Sequence, residues 1–194
     1  MTKNLIGDTD TWSSSSPDPS LAPKFLVEKT ESGRDVLVIA GGGKYCFGRW
    51  TRHIPVEGGK TYRYRVHFQY SGIEDVNLNT LNMLTWRFGN KPEFKCTQEY
   101  IERLYREKDY VIGEQVFTAK KEADGVDLSL LLRFTAKGEV RWNMVEFFED
   151  KPLKPRHVTI ATIRGRPTQP STLETILGYW AKLINQAASC KPDL

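Results

Sequence analysis

The stretch IPVEGGKTYRYRVHFQY, residues 54–70, sets Arg63, Arg65, His67 and Gln69 between Tyr62, Tyr64, Val66, Phe68 and Tyr70. A strict period of two describes a strand with one face in a core and the other turned outward. Two guanidinium forks, an imidazole and an amide on one face are groups for contact. They can pair with the carboxylates of a second domain, bind sugar hydroxyls or phosphates, or be solvated. Basic and aromatic residues interleave again in GRWTRH (48–53) and, with prolines, a basic run recurs in KPLKPRH (151–157). Such interleaving superficially suits nucleic acid, but no recognition helix, ribonucleoprotein-type motif or zinc spacing accompanies it, so no nucleic-acid partner is expected. His53, His67 and His157 lack the mutual spacing of a zinc site. GGGK at 41–44 lacks the frame of a phosphate-binding P-loop, and no helix follows it. Cys46, Cys96 and Cys190 are an odd number without paired-ligand spacing, which leans toward a reducing, cytoplasmic compartment and leaves the source open.

These residues need a scaffold, and the chain supplies one in short pieces. At 194 residues, 39% hydrophobic and 27% charged with a net charge of +4, it has room for one full domain and part of a second. Its apolar runs are strand-sized, so no membrane span is expected. The opening MTKNLIGDTDTW has no hydrophobic leader, so no signal peptide is expected either. Residues 13–23, SSSSPDPSLAP, read as loop or extended arm. Strand-like segments then follow at 24–29, 36–40, 46–56, 61–70, 81–88, 114–119, 126–134 and 140–149, separated by turns such as EGGK and AKG. Eight or so short strands with Gly-bearing turns predict an all-β sandwich or barrel. Residues 97–107, TQEYIERLYRE, read as a short helix with Tyr100, Ile101, Leu104 and Tyr105 on one face. Residues 150–157 read as a Pro/Lys linker, and VTIATI (158–163) as one more strand. Ser171 and Glu174 make a capping box for a helix striped by Leu173, Ile176, Leu177, Trp180, Leu183, Ile184 and Ala187.

Several of these stretches resemble known families. NLIGDTDTW (4–12), VLVIAGGG (36–43), GRWTRHIPVEGGKTYRYRVHFQYSG (48–72) and VDLSLLLRFTAKGEVRWNMVEFFE (126–149) resemble the galactose-binding-like jelly rolls of carbohydrate-binding modules. That resemblance implies a mainly β, jelly-roll β-sandwich over residues 1–149. The tail RHVTIATIRGRPTQPSTLETILGYWAKLINQAASCKPDL looks like the first strand and helix of the carbon–nitrogen hydrolase (nitrilase) superfamily, a C-terminal β-α unit at 158–194. In that family the catalytic Glu, Lys and Cys would all fall beyond Leu194, so no catalytic residue is expected here and Cys190 is not the nucleophile.

The resemblance also implies a sugar site, which needs an aromatic platform for a pyranose face and planar polar groups for hydroxyls. The candidates are Trp50, Arg52, His67 and Arg87 on strands of a concave sheet, with Arg63 and Arg65 accessible by alternation and Tyr45 beside the Gly-rich loop. Trp86 shares parity with Leu84 and Phe88, and Trp142 with Val140 and Met144, so both are expected in the core. Trp50, flanked by Arg49 and Arg52, is the tryptophan expected to make contact. The one cofactor implied is a structural calcium between the N-terminal segment and the last strand, at Asp8, Asp10 and Asn143; Asn in place of the usual Asp removes a charge from it. The expected function is a non-catalytic carbohydrate-binding-like accessory domain of a carbon–nitrogen hydrolase family protein. Two alternatives stay open: a domain that only docks the catalytic domain, its arginines pairing with carboxylates, and a structural sandwich without ligand. The stripe on the last helix is expected to drive self-association or to fold back on the sandwich.

Overall fold

The computed structural model describes residues 4–6, 12–92, 96–154, 158–165 and 172–191. Contacts divide the chain into two units, Met1–Leu153 and Lys154–Leu194.

In the first unit, period-two alternation becomes eleven strands: β1 (Ser13–Ser15), β2 (Lys24–Lys29), β3 (Asp35–Ala40), β4 (Cys46–Pro55), β5 (Thr61–Ser71), β6 (Thr80–Arg87), β7 (Thr97–Tyr100), β8 (Leu104–Glu107), β9 (Tyr110–Thr118), β10 (Gly125–Thr135) and β11 (Glu139–Asp150). A single turn of helix, α1 (Val76–Asn79), precedes β6, with Asp75 capping it by accepting from the amides of Asn77 and Leu78. The strands form two antiparallel sheets, ordered β1-β4-β10-β6-β7 and β2-β3-β11-β5-β9-β8. This is the mainly β sandwich that the alternation predicts.

The core lies between the sheets. β10 contributes Val126, Leu128, Leu130 and Leu132, and β5 contributes Tyr64, Val66 and Phe68, all with no exposure. Tyr62 stacks on Phe147 at 5.1 Å between centroids, and Phe25 meets Trp50 edge-on at 5.3 Å. Each buried indole finds an acceptor: Trp50 donates to the Val38 carbonyl at 3.2 Å, Trp86 to Glu99 at 2.7 Å and Trp142 to Asn82 at 2.9 Å. Trp86 and Trp142 are core residues, as their parity predicts. The EGGK turn closes through Gly59 at φ +82, a conformation that glycine adopts without steric cost.

Two local expectations fail. Residues 97–107 are not a helix but β7 and β8, which belong to different sheets. β7 pairs with β6 and β8 with β9, while Ile101, 8% exposed, crosses between the sheets and donates its amide to the Asn82 carbonyl at 2.9 Å. Unpaired strand edges offered partners for this backbone, and that pairing outweighed a helical apolar pattern too short to be stable alone.

In the second unit, 158–163 is not a strand: residues 158–165 carry no regular structure. A strand needs an edge to pair with, and the described residues of this unit contain no other strand. The helix, α2 (Leu173–Ala188), is present, capped by Thr172, whose side chain accepts from the Thr175 amide at 3.4 Å. Ser171 lies outside the described residues. Leu173, Leu177 and Ile184 of its stripe are exposed at 73%, 60% and 55%. No helix among the described residues is long and apolar enough to cross a membrane.

Candidate functional site

The basic face of β5 belongs to the six-stranded sheet, and its arginines already have carboxylates. Arg63 and Arg65 both hold Glu114 of β9. From β11, Asp150 accepts from the Arg63 Nε at 2.7 Å and Glu146 from the Arg65 Nη1 at 3.4 Å. Farther along the face, Arg141 pairs with Glu28 and, at 3.3 Å, with Glu139. Partial burial works against ionisation of Glu114, yet the hydrogen bonds from Arg65 and Arg63 outweigh it and hold its carboxyl below the usual range. Partial burial, then the neighbouring Arg65 charge, pushes the His67 imidazole below its ordinary value. This outer face is a cross-strand lattice of ion pairs, with His67 set beside Tyr110 at 6.5 Å between ring centroids. Its arginines Arg63 and Arg65 are paired within their own sheet.

Trp50 and Arg52 point the other way. Trp50 is 6% exposed inside the sandwich and offers no platform; its parity on β4 matches Ile54 and Cys46, a signal that its basic neighbours obscured. Arg52 is 3% exposed, with its guanidinium 5.8 Å from the Trp12 ring. It borders a cavity of about 530 Å³ lined also by Asn4, Trp12, Arg34, Trp142 and Asn143. Asn143 sits at the bulge where the β11–β5 register shifts, its Oδ1 buried without a hydrogen-bond partner among the described residues. That is one hard oxygen of the kind calcium takes. Asp8 and Asp10 lie outside the described residues, and among those described no cluster of three His, Cys, Asp or Glu could hold a metal. Tyr45 is 71% exposed in its loop. The seven sugar-site candidates are therefore dispersed over two faces, the interior and a loop.

Of these seven, only Arg87 lies on the outer face of the five-stranded sheet, and there the strand register assembles polar groups in rows. One row runs His53 (β4), Asp127 (β10), Thr85 (β6), Gln98 (β7). The next runs Ser13, Thr51, Ser129, Met83, Tyr100, and the third Ser15, Arg49, Leu131, Leu81. Asp127 anchors the first row: its Oδ1 meets His53 Nδ1 at 2.7 Å, and its Oδ2 lies 3.6 Å from Arg87 Nε. Gly125 leaves room for this, because a Cβ there would sit 2.4 Å from the His53 ring. Thr85 and Ser129 are only 1% exposed although they face outward, so they form a floor shaded by longer neighbours. Tyr100, 39% exposed, bounds the floor and donates its hydroxyl to Gln98 Oε1 at 3.2 Å.

An aromatic edge beside a floor of hydroxyls, with a carboxylate, an imidazole, an amide and a guanidinium around it, can offer a ligand an apolar surface together with hydrogen-bond donors and acceptors. Sequence reading missed His53, Asp127, Gln98 and Tyr100. Alternation in VDLSLLLR does turn Asp127 and Ser129 away from Leu128, Leu130 and Leu132, but which strands lie beside them is a matter of pairing.

The sandwich resembles solved structures at low sequence identity. TmCBM61 in complex with β-1,4-galactotriose matches at 11% identity and a TM-score of 0.51, over 77% of this chain and 100% of that one. The β-sandwich fold is one that this module shares. The Clostridium thermocellum xylanase 10B CBM22-1–GH10 modules complexed with xylohexaose match at 13% identity and TM-score 0.52, over 81% of this chain and 30% of that one. The enzymatically active domain of bacteriophage CBA120 tailspike protein 4 matches at 10% identity and TM-score 0.55, over 76% of this chain and 21% of that one. The chain thus spans less than a third of these two larger proteins. No protein-family profile matches the chain. No curated protein sequence matches it either.

Proposed function

We propose that the first unit is a non-catalytic carbohydrate-binding domain that takes a glycan on the outer face of the five-stranded sheet. The observation that carries this is the row His53–Asp127–Thr85–Gln98 with Arg87 and Tyr100 around it. Asp127 holds both His53 and Arg87 in place, so the donors are oriented before a ligand arrives, which lowers the entropic cost of binding. The ligands named for the neighbouring modules, β-1,4-galactotriose and xylohexaose, make β-1,4-linked chains the first to test.

The test is isothermal titration of the whole chain with β-1,4-linked xylose, galactose and glucose oligosaccharides of two to six units. Tyr100→Ala is expected to weaken binding about tenfold, the loss of one aromatic contact at about 1.4 kcal/mol. Failure of every ladder to bind rejects the reading in favour of a structural sandwich, and a Tyr100→Ala variant that binds like the parent rejects this face as the site.

Two finer elements belong to the same proposal. A structural calcium would use the Asn143 Oδ1 together with Asp8 and Asp10; a melting temperature that falls on chelation and returns with calcium supports it, and no change rejects it. An accessory role beside a carbon–nitrogen hydrolase rests on the resemblance of the 156–194 stretch. The coding frame past Leu194 tests it: an apolar strand ending in Glu supports it, and an immediate stop removes it.

A further inference from the structure

Phe134 is a surface residue that the fold alone does not explain. The β10–β4 register runs in step to Arg133↔Phe47 and resumes at Thr135↔Cys46, so Phe134 is the extra residue of a β-bulge. Its φ is +56, a region that a bulky side chain enters only against steric resistance. Its ring stays 52% exposed, so little burial compensates. A buried clamp holds it there: Asn79, 5% exposed, donates its side-chain amide to the carbonyls of both Arg133 and Phe134 at 3.1 Å each. Arg133 is fixed as well, its Nε donating to the Leu78 carbonyl at 3.0 Å and its guanidinium lying 5.1 Å from the Phe134 centroid. Among the described residues its Nη groups have no hydrogen-bond partner, so they keep donors for a ligand. The Phe134 ring meets Phe47 edge-on at 6.1 Å, and Phe47 shares outward parity with His53 on β4. The aromatic pair therefore sits on the same face as the polar rows, six residues along β4 from His53, roughly 20 Å away.

We propose that the Phe134 bulge, with Phe47 and Arg133, is a second aromatic subsite that holds a distal pyranose of a glycan chain lying along β4 and β10. This rests on the carbohydrate reading of that face and adds to it where the chain runs and how long it must be. An exposed ring beside a pinned guanidinium offers a sugar both an apolar surface and a donor fork. Strain kept in place by a buried amide is what a built site shows.

The test compares Phe134→Gly with the parent by titration against two-unit and six-unit β-1,4-linked oligosaccharides and by thermal melting. Glycine adopts φ +56 without resistance, so the variant is expected to melt at the same or a higher temperature. Its affinity for the six-unit chain is expected to fall about tenfold while that for the two-unit chain is unchanged. Unchanged six-unit affinity overturns the inference. So does a lower melting temperature with both lengths weakened alike, which marks Phe134 as structural. Phe134→Tyr, which keeps the ring, is expected to restore six-unit binding, and failure to do so also counts against the subsite. If the parent binds no ladder, the carbohydrate reading itself fails; if the parent binds, Tyr100→Ala weakens it and Phe134→Gly does not, only this subsite is lost.

Discussion

At the scale of single residues, burial separates the side chains that stabilise the sandwich from those left accessible at its surface. Trp50 and Trp86 each have an acceptor for the indole and little or no exposure, so their loss would unfold the sandwich before it revealed anything about binding. Tyr64 is different. Its hydroxyl is fully buried with no hydrogen-bond partner among the described residues, and burial pushes its phenol well above the ordinary value. A buried hydroxyl without a partner costs about 1 kcal/mol or more. Tyr64→Phe is therefore expected to raise unfolding stability by about 1 kcal/mol in a urea titration; a loss of stability would mean the hydroxyl is satisfied. Alternation alone had already placed Tyr64 in the core, but an orphaned hydroxyl is visible only once its surroundings are known.

At the scale of elements, the outer face of the six-stranded sheet depends on carboxylates from three different strands meeting three arginines. Glu114 of β9 is bound by Arg63 and Arg65 of β5, and its carboxyl is held below the ordinary value of 4.5. A carboxyl depressed in the folded state binds its proton more tightly in the unfolded chain. Its contribution is thus fully present above pH 4.5 and is lost as pH falls through the lower folded value. Asp150 adds in the same direction, through the Lys151 amide first and Arg63 second. Stability is expected to decline below about pH 4.5, and Glu114→Gln to flatten that decline while lowering stability at pH 7. Denaturation midpoints across pH 3–7 check this, and parallel acid limbs for parent and variant would reject it. The arginines of YRYR were legible in the sequence; their partners, 49 to 87 residues away, were not. The same gap explains residues 97–107, where open edges in two sheets recruited a backbone whose side chains read as helical.

At the scale of the whole molecule, the two units differ in what they can bury. The sandwich closes its own core, whereas α2 has no buried residue and leaves Leu173, Leu177 and Ile184 exposed. Apolar stripes of this kind associate in water. The chain is expected to self-associate with rising concentration in sedimentation velocity, and Leu177→Glu to return it to monomer; a monomeric parent at every concentration would contradict this. What the sequence by itself determined is the class of fold: period-two alternation assigned the interior faces of β5 and β6, the EGGK turn joined β4 to β5, and the helical stripe marked α2. Local chemistry suffices there, because parity and turn geometry are set by near neighbours. Only the tertiary structure brought the candidate site residues together. Trp50 turned inward, Arg63 and Arg65 were taken up by distant carboxylates, and His53, Asp127, Thr85 and Gln98 became neighbours through the pairing of four strands far apart in the chain. A row across a sheet is a relation between registers, and register is fixed by how whole strands pack rather than by any one stretch of residues.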